Sequence, residues 1–251
     1  MKSLELIHNK IVRAEEHQYA LCLELVEYFK SNPGKIVRQP QGSPDKYVGR
    51  VETKIPIPVR VPYIVGDCLQ NTRSALDYLV RELVLIANNK PTDHEMFPIC
   101  DTAKGFKEAV MRGQLDSIPA AASKLIEKLQ PYHLGQDWEK ASLRVLNDLC
   151  NVNKHRRIIL TVLRGGNTSL TLTEINGELW GYGRIPRLDE NTNIGPFPIN
   201  QEQQVNVNSQ VFMCVTFDEE AVKGMEITSA LARLILEIRT NVIPRFTPFF
   251  S

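Results

Sequence analysis

Seven consecutive residues, Asn151-Val152-Asn153-Lys154-His155-Arg156-Arg157, bring two amides, three cations and an imidazole within two turns of a helix. Ammonium and guanidinium groups donate to phosphate or carboxylate oxygens, and an imidazole moves a proton near neutral pH. A helix is predicted from about Asp137 to at least Leu149. If it continues to His155, then Arg144, Asp148, Asn151 and His155 share one face, at steps of four, three and four. Asp148 could then orient the imidazole of His155, with Asn151 between them. On this reading Lys154, Arg156, Arg144 and Asn151 hold an anion while His155 and Asp148 do the chemistry. The competing reading is a polar helix face that pairs with its own neighbours. The helix dipole alone favours cations at this end.

A second candidate lies on a helix predicted from about Asp67 to Ile86. Cys68, Thr72, Ala75, Leu79, Leu83 and Ile86 form its core stripe. Arg73 and Asp77 stand one turn apart among Leu69, Leu76, Val80 and Val84, so they interrupt a second apolar face. A pair placed there is expected to be partly buried. It is either a structural ion pair or a guanidinium that reaches a phosphate or carboxylate bidentately.

The remaining pattern predicts the frame that positions these residues. Leu4, Ile7, Ile11, Ala14, Leu21, Leu25 and Phe29 recur at helical spacing over 3–31, interrupted by Gln18, until Asn32-Pro33-Gly34 stops the run. Tyr47 to Val51 and Pro56 to Val61 read as proline-limited edge strands. Short helices are expected near 104–112 and 117–129, the second with Ser117 as cap and Pro119 in its first turn. The pattern then turns to β. Ile158 to Leu163, Ser169 to Glu174, Glu178 to Tyr182, Val205 to Val207 and Val211 to Phe217 read as strands, with Ile175-Asn176-Gly177 as a hairpin turn. The stretch 184–203 reads as a loop. A last helix is expected over 220–242, followed by an aromatic tail, Phe246 to Phe250, that docks on the core. The order of elements predicts one α+β domain over 1–251: an α-helical bundle with a small antiparallel β-sheet in the C-terminal half.

Composition narrows the function classes. Thirty lysines and arginines stand against 29 aspartates and glutamates, a balance of +1. That argues against a general nucleic-acid coat, which needs a large cationic excess, and leaves a local basic site at Lys154 to Arg157, extended by Arg164. The five cysteines are odd in number, far apart and without metal-ligand spacing. Buried thiols, no structural metal and no cofactor are expected. No run approaches the roughly 18 apolar residues of a membrane span, so a cytoplasmic protein without membrane partners is expected.

Several blocks together resemble a family of uncharacterised bacterial proteins. They are Gly66 to Leu79 (GDCLQNTRSALDYL), Phe97-Pro98-Ile99, Leu129-Gln130-Pro131-Tyr132, and Leu146 through Lys154-His155-Arg156. The resemblance covers most of 60–160 and implies no established activity. A more distant similarity is to HEPN-type helical proteins. In those enzymes an arginine followed four to six residues later by a histidine, paired across a dimer interface, cleaves RNA without metal. Arg73 matches the arginine of that motif. The residue five further on is Tyr78, so His155 would have to supply the imidazole from a neighbouring helix. Three readings stand. The first is a non-catalytic interaction and assembly protein that forms a homo-oligomer. The second is an HEPN-like RNA-binding or RNA-cleaving module. The third is an enzyme or binder for a small anionic ligand.

Overall fold

Helix α1 (Lys2–Lys30) forms where the three-and-four spacing predicts it, and Ile7, Ile11, Ala14, Leu21 and Leu25 are buried. Gln18, the polar residue in that stripe, is accommodated because its amide donates to the Thr228 carbonyl at 3.3 Å. The computed structural model describes residues 2–31, 33–41, 43–53, 55–164, 168–173, 179–185, 194–198, 206–209 and 213–250. The fold is α+β, with helices predominating.

The chain divides into two compact units. One comprises residues 1–24, 59–159 and 219–251, and the other 25–58 and 160–218. The first is helical. After α1 come α2 (Arg60–Ile86), α3 (Ala103–Met111), α4 (Ala120–Lys128), α5 (Ser142–His155) and α6 (Ile227–Glu237). Helix α2 is its spine: Val65, Cys68, Leu69, Leu76, Leu79 and Leu83 are fully buried. It starts a full two turns before Asp67. Pro56 to Val61 therefore forms no strand; the segment before Arg60 is irregular and the helix takes up the rest. Pro62 fits because the first turn of a helix asks no hydrogen bond of its nitrogen.

Other boundaries also move. Helix α5 starts at Ser142, not Asp137, because a 3-10 segment (Pro131–Lys140) precedes it, broken at Gly135 with φ 60°, and Ala141 is extended. Pro119, not Ser117, stands at the start of α4, and the Ser117 carbonyl instead accepts from Asn89 Nδ2 at 2.8 Å. The expected last helix is split. A 3-10 turn (Glu220–Val222) ends near Gly224 (φ 76°), and α6 begins only where the Glu226 carboxylate accepts from the Thr228 and Ser229 amides. After α6 the chain relaxes into a π-helical turn (Ile238–Val242) and a 3-10 tail (Ile243–Phe250). Phe246 is fully buried, as docking of the aromatic tail requires.

The second unit holds the described strands, all paired antiparallel. β1 (Gly34–Gln41) pairs with β2 (Ser43–Thr53), which also pairs with β6 (Ile194–Pro198). β3 (Leu160–Arg164) pairs with β8 (Met213–Phe217), Val162 opposite Val215. β4 (Thr168–Thr173) lies between β5 (Leu179–Ile185) and β7 (Asn206–Ser209). The stretch 184–203, expected as loop, thus contributes β6. The Ile175-Asn176-Gly177 turn lies outside the described residues, but β4 and β5 pair as the hairpin signal implies.

Candidate functional site

Helices α2 and α5 pack directly, and two contacts fix their sense. A Cβ added at Gly66 would sit 2.6 Å from Asn153 Oδ1, so only glycine admits Asn153 at this distance. The Cys150 thiol lies 3.7 Å from the Leu69 carbonyl. As α2 advances, α5 retreats: the helices are antiparallel. Extending that register places His155 level with Ile64, near the start of α2, roughly nine residues from Arg73, about 13 Å along the axis at 1.5 Å per residue. The two residues nominated for joint chemistry are therefore not brought together within the chain.

Arg73 is 9% exposed. Its Nη2 donates to the Phe97 carbonyl at 2.5 Å and to Asp77 Oδ1 at 2.9 Å, and the same Asp77 oxygen accepts from the Phe97 amide at 3.0 Å. The pair is thus partly buried, as its place between apolar columns implied. Its job is to hold both polar groups of one buried residue of the loop between α2 and α3. Nη1 is buried without a hydrogen-bond partner among the described residues. No bidentate face is left open for a phosphate.

The next residues of that loop are held the same way. Gln130, at the end of α4, donates from Nε2 to the Pro98 carbonyl at 2.9 Å and accepts at Oε1 from the Cys100 amide at 2.9 Å. Asp101 pairs with Arg144 Nη1, and Arg144 Nε donates to Asp148 Oδ2 at 2.7 Å. The guanidinium also lies over the Trp138 ring, 5.2 Å from its centroid. Arg73, Asp77, Gln130 and Arg144 therefore converge on one strap, Phe97 to Asp101. A buried loop must have its amides and carbonyls paired, and here side chains from three helical segments supply the partners. Sequence reasoning missed Gln130, which reads simply as the end of a helix. It also missed Asp101, whose partner is 43 residues away.

Charge follows this geometry. Burial pushes the Asp148 carboxyl above its ordinary range; Arg144 opposes the rise and the nearby Asp101 charge adds to it. Burial also acts against the Arg144 charge, but its two carboxylate partners outweigh that and raise its pKa. Asp148 is thus engaged by Arg144 in place of an imidazole. Burial pushes the Cys150 thiol up to about 11, although the Arg73 and Lys154 charges pull it down, and the Cys68 thiol up to about 12. Thiols so placed are poor nucleophiles. Of Cys22, Cys68, Cys100 and Cys150, Cys68 and Cys150 are the buried ones.

The basic cluster divides. Arg156 is held by Glu219 through two hydrogen bonds, 2.9 Å from Nη1 and 2.6 Å from Nη2, and Glu219 Oε1 also accepts from the Ile159 amide at 2.7 Å. Glu219 is buried. Its bonds to Arg156 raise the guanidinium pKa. Nothing in the sequence near 156 signals this partner, 63 residues on. By contrast Asn151, Lys154, His155 and Arg157 are exposed, and Lys154, His155 and Arg157 form no salt bridge among the described residues.

An open cavity of about 380 Å³ beside the start of α5 is lined by Leu134, Asp137, Lys140, Ser142, Arg233 and Glu237 among others. Arg144, Asp148, Asn151 and His155 are not part of its lining. Among the described residues no three His, Cys, Asp or Glu side chains gather as a metal site would need. Among them, too, no helix is long and apolar enough to cross a membrane. Comparison with protein-family models, with curated proteins and with solved structures gives no match to this chain.

Proposed function

We propose that this chain is a non-catalytic interaction and assembly protein. One observation carries the reading. Each of the three arginines nominated for chemistry is held by a carboxylate within the fold: Arg73 by Asp77, Arg144 by Asp148 and Asp101, and Arg156 by Glu219. Each of these guanidiniums already has a carboxylate partner within the fold, with Arg73 engaged through Nη2. Supporting this, the strap that Arg73, Gln130 and Arg144 hold is a packing device, and His155 lies at the other end of the α2–α5 interface from Arg73.

The test compares turnover with folding. The purified chain is incubated with single-stranded and structured RNA without metal, beside Arg73→Ala and His155→Ala. The reading expects no cleavage by any of the three, a lower melting temperature for Arg73→Ala, and an unchanged one for His155→Ala. Cleavage by the unaltered chain that His155→Ala abolishes with the fold intact would overturn it.

A second reading has one observation in its favour. Lys154, His155 and Arg157 leave the end of α5 exposed and without carboxylate partners among the described residues. That end could hold RNA phosphates or a small anion electrostatically. Binding of that kind weakens steeply with salt, and salt-dependent binding lost in Lys154→Ala/Arg157→Ala would support it.

A further inference from the structure

Helix α1 carries two stripes at alternating steps of three and four. The inner one, through Ile7, Ile11, Ala14 and Leu21, is buried in the fold. The outer one runs from Glu5 to Lys30 in unbroken steps of four and three. It holds Val12, Tyr19, Leu23 and Val26, which are 48%, 67%, 51% and 49% exposed. A helix that only covers a core is polar on its outer face. Here four of the eight positions are apolar and the other four are Glu5, Asn9, Glu16 and Lys30, and a 3.5-residue spacing of this kind is that of the seam of a helix pair. Because α1 is one continuous helix (Lys2–Lys30), its own geometry places these residues in line.

We propose that α1 pairs antiparallel with α1 of a second copy of this chain, about a two-fold axis between residues 17 and 18. The proposal rests on the assembly reading above and names its surface and its occupant. A two-fold interface must be self-complementary, each residue meeting a counterpart that meets it in return. On this seam Glu5 meets Lys30 of the second copy at both ends, Val12 meets Leu23, and Asn9 meets Val26. Beside the axis Tyr19 meets Glu16, whose carboxylate can accept from the phenol. His8 and Glu27 flank the same seam. The charges choose the direction. A parallel pair would set Glu5 against Glu5, Glu16 against Glu16 and Lys30 against Lys30, each a repulsion, whereas the antiparallel pair turns the end contacts into attractions. The ion pairs already on the helix, Arg13–Glu16 at 2.7 Å and Lys30–Glu27 at 2.7 Å, are exposed and leave these side chains at the surface.

Sedimentation equilibrium of the full chain over a concentration series tests this. A concentration-dependent dimer is expected. Leu23→Glu should weaken it about ten-fold or more with unchanged circular dichroism, since the side chain is exposed in one copy. Glu5→Lys or Lys30→Glu alone should weaken the dimer several-fold, and the two together in one chain should restore it. That rescue is specific to the antiparallel arrangement. A dimer that survives Leu23→Glu, or single charge reversals without rescue, would overturn this seam and leave the assembly reading standing. A chain that stays monomeric throughout also overturns the seam. RNA cleavage that depends on His155 overturns the non-catalytic reading whatever the seam does.

Discussion

The two ends of α5 carry the same residue types and have opposite fates. Near its start Arg144 lies between Asp101 and Asp148, over the Trp138 ring, and fastens a loop. At its end Lys154, His155 and Arg157 stand exposed, and only their neighbour Arg156 is claimed, by Glu219. Residue type therefore does not separate an architectural cation from an available one. What separates them is whether the fold brings a carboxylate, or a loop in need of donors, to that point of the helix.

The comparison can be broken most severely at the strap. Arg73→Ala leaves the Phe97 carbonyl without its donor and Asp77 without its cation. Breaking a buried pair costs about 3–5 kcal/mol, and the partial exposure of Asp77 reduces this to about 2–3 kcal/mol; chemical denaturation measures it. If Arg73→Ala is as stable as the unaltered chain, Arg73 is not structural. Gln130→Ala strands the Pro98 carbonyl and the Cys100 amide together. A loss of about 2 kcal/mol is expected, read as a fall in midpoint at constant slope.

A smaller effect belongs to α6. Two amides donate to Glu226 at the start of that helix. Its pKa is lowered, because burial, the largest single influence, is outweighed by hydrogen bonds from Ser229 and Thr228. A carboxylate with a depressed folded pKa contributes stability that is present above its ordinary pKa, near 4.3. That contribution is lost as pH falls through the folded value. Glu226→Ala should cost about 1 kcal/mol at neutral pH, and the gap between variant and unaltered chain should close on acidification. Asp148 has the opposite sign. Its pKa is raised, so lowering pH through that raised value relieves the cost of burying its charge. A gap for Glu226→Ala that persists once Glu226 is protonated in the folded chain would assign the loss to packing instead.

The smallest change is expected at the open end. Lys154→Ala and Arg157→Ala should each alter stability by less than about 0.5 kcal/mol, as surface substitutions do. A destabilisation approaching that of Arg73→Ala would remove the contrast between the two ends of the helix.

Sequence determines a good deal here because periodicity reports burial directly. The inner stripe of α1 through Ile7, Ile11, Ala14 and Leu21, the core stripe of α2 from Cys68 to Leu83 and the apolar side of α5 through Leu143, Leu146 and Cys150 are legible, and each is buried. So are the β character of the stretch after α5, the partial burial of Arg73 and Asp77 between apolar columns, and the alignment of Arg144 with Asp148 four residues on. All of these depend on contacts within a turn or on which side of an element is apolar. Element starts at Arg60 and Ser142 were not legible, because proline tolerates a first helical turn as well as an extended run, and Gly135 conceals a break inside a helix-like pattern.

Tertiary structure alone decided what the polar residues do. The contacts of Arg73 with Phe97, Gln130 with Cys100, Arg144 with Asp101 and Arg156 with Glu219 join residues 24 to 63 positions apart. No local pattern encodes such a meeting, because a guanidinium's neighbours are set by how helices and loops pack. The antiparallel register of α2 and α5 likewise put His155 at the opposite end of their interface from Arg73. One chain thus writes its core in its periodicity and leaves the use of its charges to the packing.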